Sequence, residues 1–327
     1  MRNLTTNYMG LKLKNPVIIG SSGLTSSVEM IKNLAANNAG AVVLKSLFEE
    51  QILAEMNASS NHDHHDYPEG YDYARFYTKE KNLSDYLNLI KDAKAAVDIP
   101  IIASINCIDD AEWMSFAKKI EEAGADALEL NIAILPSNPA VSAEENEKLY
   151  FSILEKVRAE ISIPIALKMS HYSAHLAHLI QQLSYTKNLD SFVLFNRYYN
   201  PDIDIENMEI GSSSTFSSPD DISVSLRWIA LLSDIIQKEL VASTGVHDGA
   251  GVIKQLLAGA QAVQMTSAIY IHGAEYINTV LKEIDAWMER KGFDSIEDFR
   301  SKLSLKQLKN PAIFERTQFM KYYANKK

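Results

Sequence analysis

Three segments of this chain repeat one internal pattern: NNAGAVVLKS (37–46), EAGADALELN (122–131) and LAGAQAVQMT (257–266). In each, a glycine closes a helical stretch, an apolar run too short for a helix follows, and a polar residue ends it. DIPIIASIN (98–106) and SIPIALKMS (162–170) start the same kind of run after a proline. Continuous apolar runs, as opposed to alternating ones, fit parallel strands covered on both faces. Eight such runs can be read along the chain: 16–21, 41–46, 101–106, 127–131, 165–170, 191–196, 241–243 and 262–266. Amphipathic helix patterns, such as 110–123 and 143–159, lie between most of them. The alternation predicts an all-parallel sheet, and eight units within ~250 residues predict a (β/α)8 TIM barrel over an open doubly wound sheet. No GxGxxG or Walker A pattern follows any strand, which disfavours dinucleotide and P-loop folds.

Composition narrows the class further. The 327 residues are 46% hydrophobic, enough for one large core. No apolar run approaches the ~18–20 residues of a membrane span, and the opening MRNLTTNYMG does not read as a signal peptide. A single cysteine, Cys107, excludes a disulfide framework, a zinc ribbon and a protein-held iron–sulfur cluster. A net charge of −10 argues against nucleic acid or an anionic membrane as the main partner. The expectation is a soluble, cytoplasmic protein that acts on a small molecule.

Active sites of such barrels sit at the C-terminal ends of the strands. Those ends carry Ser22-Gly23, Lys45-Ser46, Asn106-Cys107, Asn131, Lys168, Asn196, Thr244-Gly245 and Thr266-Ser267. Two lysines among amides and hydroxyls make an anion-friendly mouth. The turns Thr244-Gly245 and Thr266-Ser267 each precede a helix pattern after the seventh and eighth strands, where barrels commonly hold phosphate on free backbone N–H groups. Asp248 is the expected N-cap of the first of these helices, and Gly259 the residue just past its end.

Two connections are long. Residues 47–98 hold NASSNHDHHDYPEGYDYARFY before a helix expected near 83–97, and residues 197–221 are rich in Tyr, Asp and Ser. Both are expected as ordered lids over the mouth, with Tyr71, Arg75 and Arg197 as candidate substrate ligands. His62, His64 and His65 crowd one short loop, a poor geometry for tetrahedral metal binding, so no metal site is expected. His171, His175 and His178 have the spacing of one outer helical face. His247 follows the first phosphate turn and is a candidate phosphate contact. Residues 305–327 read as a mildly basic amphipathic helix, a C-terminal extension (304–327) expected to pack on the barrel (1–303) or on a neighbouring subunit.

With these residues in view, the chain resembles the soluble, FMN-containing class of the dihydroorotate dehydrogenase family over roughly residues 3–303. NPVIIGSSG (15–23), AGAVVLKS (39–46), ELN (129–131), ALKMS (166–170), the 241–268 unit and GFDSIEDFRSKL (292–303, resembling a closing helix) carry the likeness in order. The resemblance implies a bound FMN, hydride transfer from a substrate C–H to the flavin, and a homodimer. It also implies that Ser21, Ser22 and Gly23 contact the isoalloxazine, with Ser46 and Ser104 beside them. Lys45 and Lys168 would lie near the edge where negative charge collects on reduction, Lys45 serving catalysis and substrate as well. Asn131 and Asn196 would bind flavin or substrate, and Thr244, Gly245, Thr266 and Ser267 the phosphate.

The departures from the family are equally specific. Its fourth strand runs into Asn-Leu-Ser-Cys-Pro-Asn, with the Cys (Ser in relatives) as general base. Here the run is Asn131-Ile-Ala-Ile-Leu135-Pro136-Ser137-Asn138, and Leu135 stands where the base belongs. Ser137 and Cys107 are the candidate substitutes. The family's Asn-x-Met-Gly-Leu-x-Asn substrate loop is replaced by YPEGYDYARFY (67–77). The first expectation is therefore an FMN oxidoreductase acting on a CH–CH bond, converting dihydroorotate to orotate in pyrimidine synthesis if the family substrate is kept. The alternatives are an FMN oxidoreductase with another donor, an aldolase-type lyase using Lys168 as a Schiff base, and a non-catalytic FMN-binding protein.

Overall fold

The computed structural model describes residues 2–48, 68–106, 110–198, 200–212, 214–308 and 312–315. Eight parallel strands form a closed barrel: β1 (Val17–Ile19), β2 (Ala41–Val43), β3 (Ile101–Asn106), β4 (Ala127–Ile132), β5 (Ile165–Met169), β6 (Ser191–Leu194), β7 (Glu239–Ser243) and β8 (Ala262–Met265). Each pairs with the next, and β8 returns to β1 through Val263↔Val17 and Met265↔Ile19. A two-residue strand, Leu47–Phe48, continues beyond β2 alongside the end of β3. The (β/α)8 TIM barrel read from the sequence is the fold.

The outer layer is α1 (Val28–Ala36), α2 (Pro68–Ala96), α3 (Asp110–Glu122), α4 (Ala143–Glu160), α5 (Leu176–Ser184), α6 (Ile222–Leu232), α7 (Gly249–Ala258) and α8 (Tyr276–Lys291). Their ends follow the local chemistry. Ser142 and Glu145 form a reciprocal capping box on α4, and Asp248 accepts from the Gly251 amide at 2.7 Å to start α7. Gly259 ends α7 at φ +117°, a left-handed conformation that glycine adopts without strain.

The strands alternate inward and outward. Ile18, Ala41, Val43, Ile102, Ala127, Ala166, Val193, Val241 and Ala262 form a separate inner cluster, while Leu128, Leu130, Leu167, Met169, Val263 and Met265 join the helices in the main core. Tyr8, Met9 and Leu13 plug this inner cluster from below. They belong to a hairpin, Thr6–Tyr8 against Leu11–Leu13, whose two-residue turn has φ +52° at Met9 and +76° at Gly10. Positive φ at both turn positions matches the twist of a tight hairpin.

Several expectations change. The long connection after β2 is not a loop as far as residue 83, because α2 already begins at Pro68. Proline is well placed in a first helical turn, and the Ala, Glu, Lys, Leu and Tyr that follow carry the helix onward. Tyr71 and Arg75 thus lie on a helix, and their side chains fall outside the described residues, as do Cys107, His62, His64 and His65 wholly. The 197–221 connection contains an unexpected hairpin, Pro201–Asp204 with Glu209–Ser212. The three histidines do not share a helical face: α5 starts at Leu176, so His171 stays in the β5–α5 loop and His175 is the N-cap. The closing helix expected at 292–303 is a turn-rich run with one 3₁₀ turn, Ile296–Asp298, set by Gly292 ending α8 and a Ser295–Asp298 capping box. The extension is not continuous helix from 305 either. It shows a 3₁₀ turn at Leu305–Gln307, an extended Leu308 and a helix at Ala312–Glu315, where Phe314 packs on the barrel's own core. Residues 316–327 lie outside the described residues.

Candidate functional site

The inward positions turn polar one step above the apolar plug. Two residues beyond Ile102, Ala127, Ala166, Val241 and Ala262 stand Ser104, Glu129, Lys168, Ser243 and Gln264, all buried. The Lys168 ammonium donates to Gln264 Oε1 at 2.9 Å and lies 3.5 Å from Glu129 Oε1. Gln264 Nε2 donates to Glu129 Oε2 at 2.5 Å. Glu129, 1% exposed, keeps Oε1 without a hydrogen-bond partner among the described residues. A buried lysine thus meets its counter-charge and an amide on three separate strands. Both of these partners are charged or polar, which is how buried charge is tolerated.

Above this floor opens a cleft of about 250 Å³, walled among others by Ser21, Lys168, Asn196, Thr244, Thr266 and Ser267. On one side Ser46 Oγ lies 2.6 Å from Ser104 Oγ and 3.1 Å from Ser21 Oγ, and Ser21 Oγ accepts from the Ser46 amide at 2.9 Å. Tyr86 of α2 braces that side: its hydroxyl accepts from Ser104 N at 2.8 Å and donates to Ser104 O at 3.0 Å. Opposite, Asn196 Nδ2 donates to Asn131 Oδ1 at 3.0 Å.

The far end is the pair of turns after β7 and β8. Thr244 and Gly245 have φ +76° and +77°, and a Cβ on Gly245 would overlap the Ile222 amide nitrogen at the start of α6. The amides of Gly245, Val246, Thr266 and Ser267 have no acceptor among the described residues and border the cleft. Ser217, from the long β6–α6 connection, reaches into this end. Its amide donates to Ser267 Oγ at 3.0 Å, and its hydroxyl lies 3.0 Å from His247 Nε2. Burial lowers the His247 pKa, so the ring is held toward its neutral form.

The other sequence candidates are placed as follows. Lys45 is exposed at the rim beyond β2. Ser22 and Gly23 open a 3₁₀ turn after β1, with Ser22 Oγ donating to Gly20 O. Arg197 donates to Thr215 O at 2.8 Å and to Ser214 Oγ at 2.7 Å, which ties together the two ends of the 201–212 excursion. Ser137 is exposed in the β4–α4 loop, away from the cleft wall. Leu135 is 54% exposed at the same rim. Glu129, Gln264, Tyr86 and Ser217 were not singled out in the sequence. For the first two, a signal existed: a charged and an amide residue standing inside otherwise apolar strands.

A model of the dihydroorotate dehydrogenase family matches residues 73–288. The chain belongs to the dihydroorotate dehydrogenase family. The catalytic subunit of dihydroorotate dehydrogenase B (NAD(+)) from Thermoplasma volcanium is 25% identical over 311 residues, 91% of this chain and 97% of its own length. The corresponding subunit from Methanocaldococcus jannaschii is 25% identical over 298 residues, 88% and 94% of the two chains. Dihydroorotate dehydrogenase A (fumarate) of Lactococcus lactis subsp. cremoris is 25% identical over 326 residues, 92% and 99%. The parenthesised acceptors in those names differ, so family membership alone does not fix the electron acceptor. It makes this dihydroorotate dehydrogenase-like barrel one of a family of oxidoreductases, with no helix among the described residues long and apolar enough to cross a membrane.

Proposed function

We propose that this chain is a cytoplasmic, FMN-dependent oxidoreductase that removes hydrogen from a CH–CH donor at the barrel mouth. The observation that supports it most is the buried Lys168 ammonium at one end of a cleft whose other end offers four free backbone amides. These residues fit the group: a phosphate would take the Gly245, Val246, Thr266 and Ser267 amides and the Ser267 hydroxyl, while Lys168 would serve the ring. When bound, FMN supplies the electron sink for a hydride leaving a substrate carbon. Lys168, fixed by Glu129 and Gln264, offers positive charge without having to move. In this reading Ser21, Ser22, Gly23, Ser46, Ser104 and Asn131 would hold the ring, and Asn196, Arg197 and Lys45 would bind the donor.

Dihydroorotate is the first donor to test, because the family acts on it, and its oxidation would place the chain in pyrimidine synthesis. The protein is loaded with FMN and titrated anaerobically with dihydroorotate while the oxidised-flavin band is followed. Bleaching at near-stoichiometric donor supports the family reaction, with Ser137 or Cys107 as base. No bleaching, while dithionite still reduces the flavin, supports the second reading, a different donor. The exposed Leu135 favours that second reading, since a leucine takes no proton. No uptake of FMN at all would sink both. The lyase reading is tested separately: borohydride trapping of a carbonyl compound on Lys168 would support it.

A homodimer belongs to the same proposal. Ile203 and Ile210 are directly paired on the 201–212 hairpin, and with Ile205 and Met208 they are 66–88% exposed. An apolar arm of this kind suits a second copy, and Ile203→Lys with Ile210→Lys should then give a monomer by sedimentation.

A further inference from the structure

Every strand end at the mouth carries serine, lysine, asparagine or threonine, Asn131 of β4 included, but past Asn131 the chain runs Ile132-Ala133-Ile134-Leu135-Pro136. That apolar exit forms one wall of a second chamber, about 210 Å³, between the ends of β4 and β5 and the first turns of α4 and α5. Ile134, Pro136, Tyr150, Met169, Leu176 and Leu179 supply its apolar surface. Its space arises because Ala143, Ser170, Ser173 and Ala174 sit where larger side chains would close it. Burial pushes the Tyr150 hydroxyl up to about 12, so it enters as a neutral group.

The chamber adjoins the mouth. Tyr172 forms part of its wall and part of the wall of a small intermediate cleft of about 120 Å³. There Tyr172 stacks on His171 at 4.4 Å and meets Tyr198 edge-on at 5.0 Å. That cleft in turn shares Asn196, Arg197, Ser243 and Thr244 with the polar cleft above Lys168. Polarity therefore falls in steps across one face, from ammonium and free amides, through aromatic rings, to a mainly apolar pocket that Asn146 and Glu147 also line. For scale, an apolar cavity of about 150 Å³ accepts benzene. A chamber of 210 Å³ takes a six-membered ring and one or two further carbons.

We infer that the chamber is a subsite for the apolar end of the substrate: the donor is an amphipathic small acid whose ring or short aliphatic group passes Tyr172 while its polar head stays with Asn196 and Arg197. This rests on the oxidoreductase reading only in taking the mouth as the reaction site. It also names a substrate class distinct from a compact, wholly polar ring acid.

The test compares 3-phenylpropionate with propionate by isothermal titration, on the full chain with and without FMN. The ring should tighten binding at least tenfold. Ala143→Trp, and independently Ala174→Trp, fill the chamber from exposed positions and should erase that difference while FMN content stays the same. Equal affinity for the two acids, including no measurable binding of either, overturns the subsite, and so does a difference that survives in both filled variants. Failure to take up FMN would sink the oxidoreductase reading and leave the comparison of the two acids intact.

Discussion

Replacing Lys168 by methionine keeps the length and apolar stem of the side chain and removes only the charge. In the native barrel that charge lies 3.5 Å from Glu129 Oε1, with both side chains under 10% exposed. At an effective dielectric of about 20, such a pair attracts by about 5 kcal/mol before desolvation is counted. Removing one partner of a buried pair costs ~3–5 kcal/mol, because the other charge stays buried and uncompensated. Gln264 can still donate to Glu129 Oε2, so the lower end of that range, about 3 kcal/mol, is expected for Lys168→Met. Against a domain stability of about 5–15 kcal/mol, the variant folds but unfolds much earlier in urea. One control makes the reasoning specific: the double variant Lys168→Met with Glu129→Gln should recover most of the loss, since no charge is then orphaned. The assay is urea unfolding followed by far-ultraviolet circular dichroism, with the slope held common. A loss below about 1 kcal/mol, or no rescue by Glu129→Gln, would refute the account of the barrel floor.

Tyr86→Phe deletes a hydroxyl that both accepts from and donates to the Ser104 backbone inside the barrel, and should cost ~1–3 kcal/mol in the same urea assay. Gly245→Ala meets a left-handed backbone penalty of about 1–2 kcal/mol and a clash with the start of α6; it should lower the melting temperature by several degrees and abolish FMN uptake, whereas Gly124→Ala, also at positive φ but with open space around it, should keep uptake. His171 and His247 both have pKa values lowered by burial from 6.5. The unfolded chain therefore binds protons first, so their contribution is present above about pH 6.5 and is lost as pH falls toward the folded values. His171→Gln combined with His247→Asn should flatten the fall in melting temperature between pH 7 and pH 5; an unchanged slope would show that other groups set it.

The barrel was legible because its strands announce themselves in pairs of signals, a glycine or proline before the run and a polar residue after it. Ala127, Ala166 and Ala262 show why the interior was harder. Inward and outward positions of these strands are both apolar low in the barrel, so the two-residue alternation disappears into one continuous run. It resurfaces only at Glu129, Lys168 and Gln264. Lysine at a strand end was readable as chemistry, while its counter-ion two residues before Asn131 passed as part of an apolar strand. The turns at Thr244-Gly245 and Thr266-Ser267 were readable for a different reason: small residues beside helix starts have few other uses. Pro68 misled in the opposite sense, since a proline after a run of Asn, His and Asp reads as loop until the helix it starts is seen.

This division also separates what the barrel can change from what it cannot. Lys168, Glu129, Gln264 and Ser104 project from strands locked in register on both sides, so altering any of them disturbs packing that the whole barrel shares. The groups that would meet a donor lie instead on connections: Leu135 after β4, His171 and Tyr172 after β5, Arg197 after β6. Loops of this kind tolerate substitution at small cost to the core. On the proposed reading, a barrel that keeps its floor and changes its rim keeps the place for an electron sink while exchanging the molecule that feeds it. The apolar exit of β4 would act in this way, since it makes one side of the mouth apolar and lines a pocket that shares no residue with the Lys168 cleft.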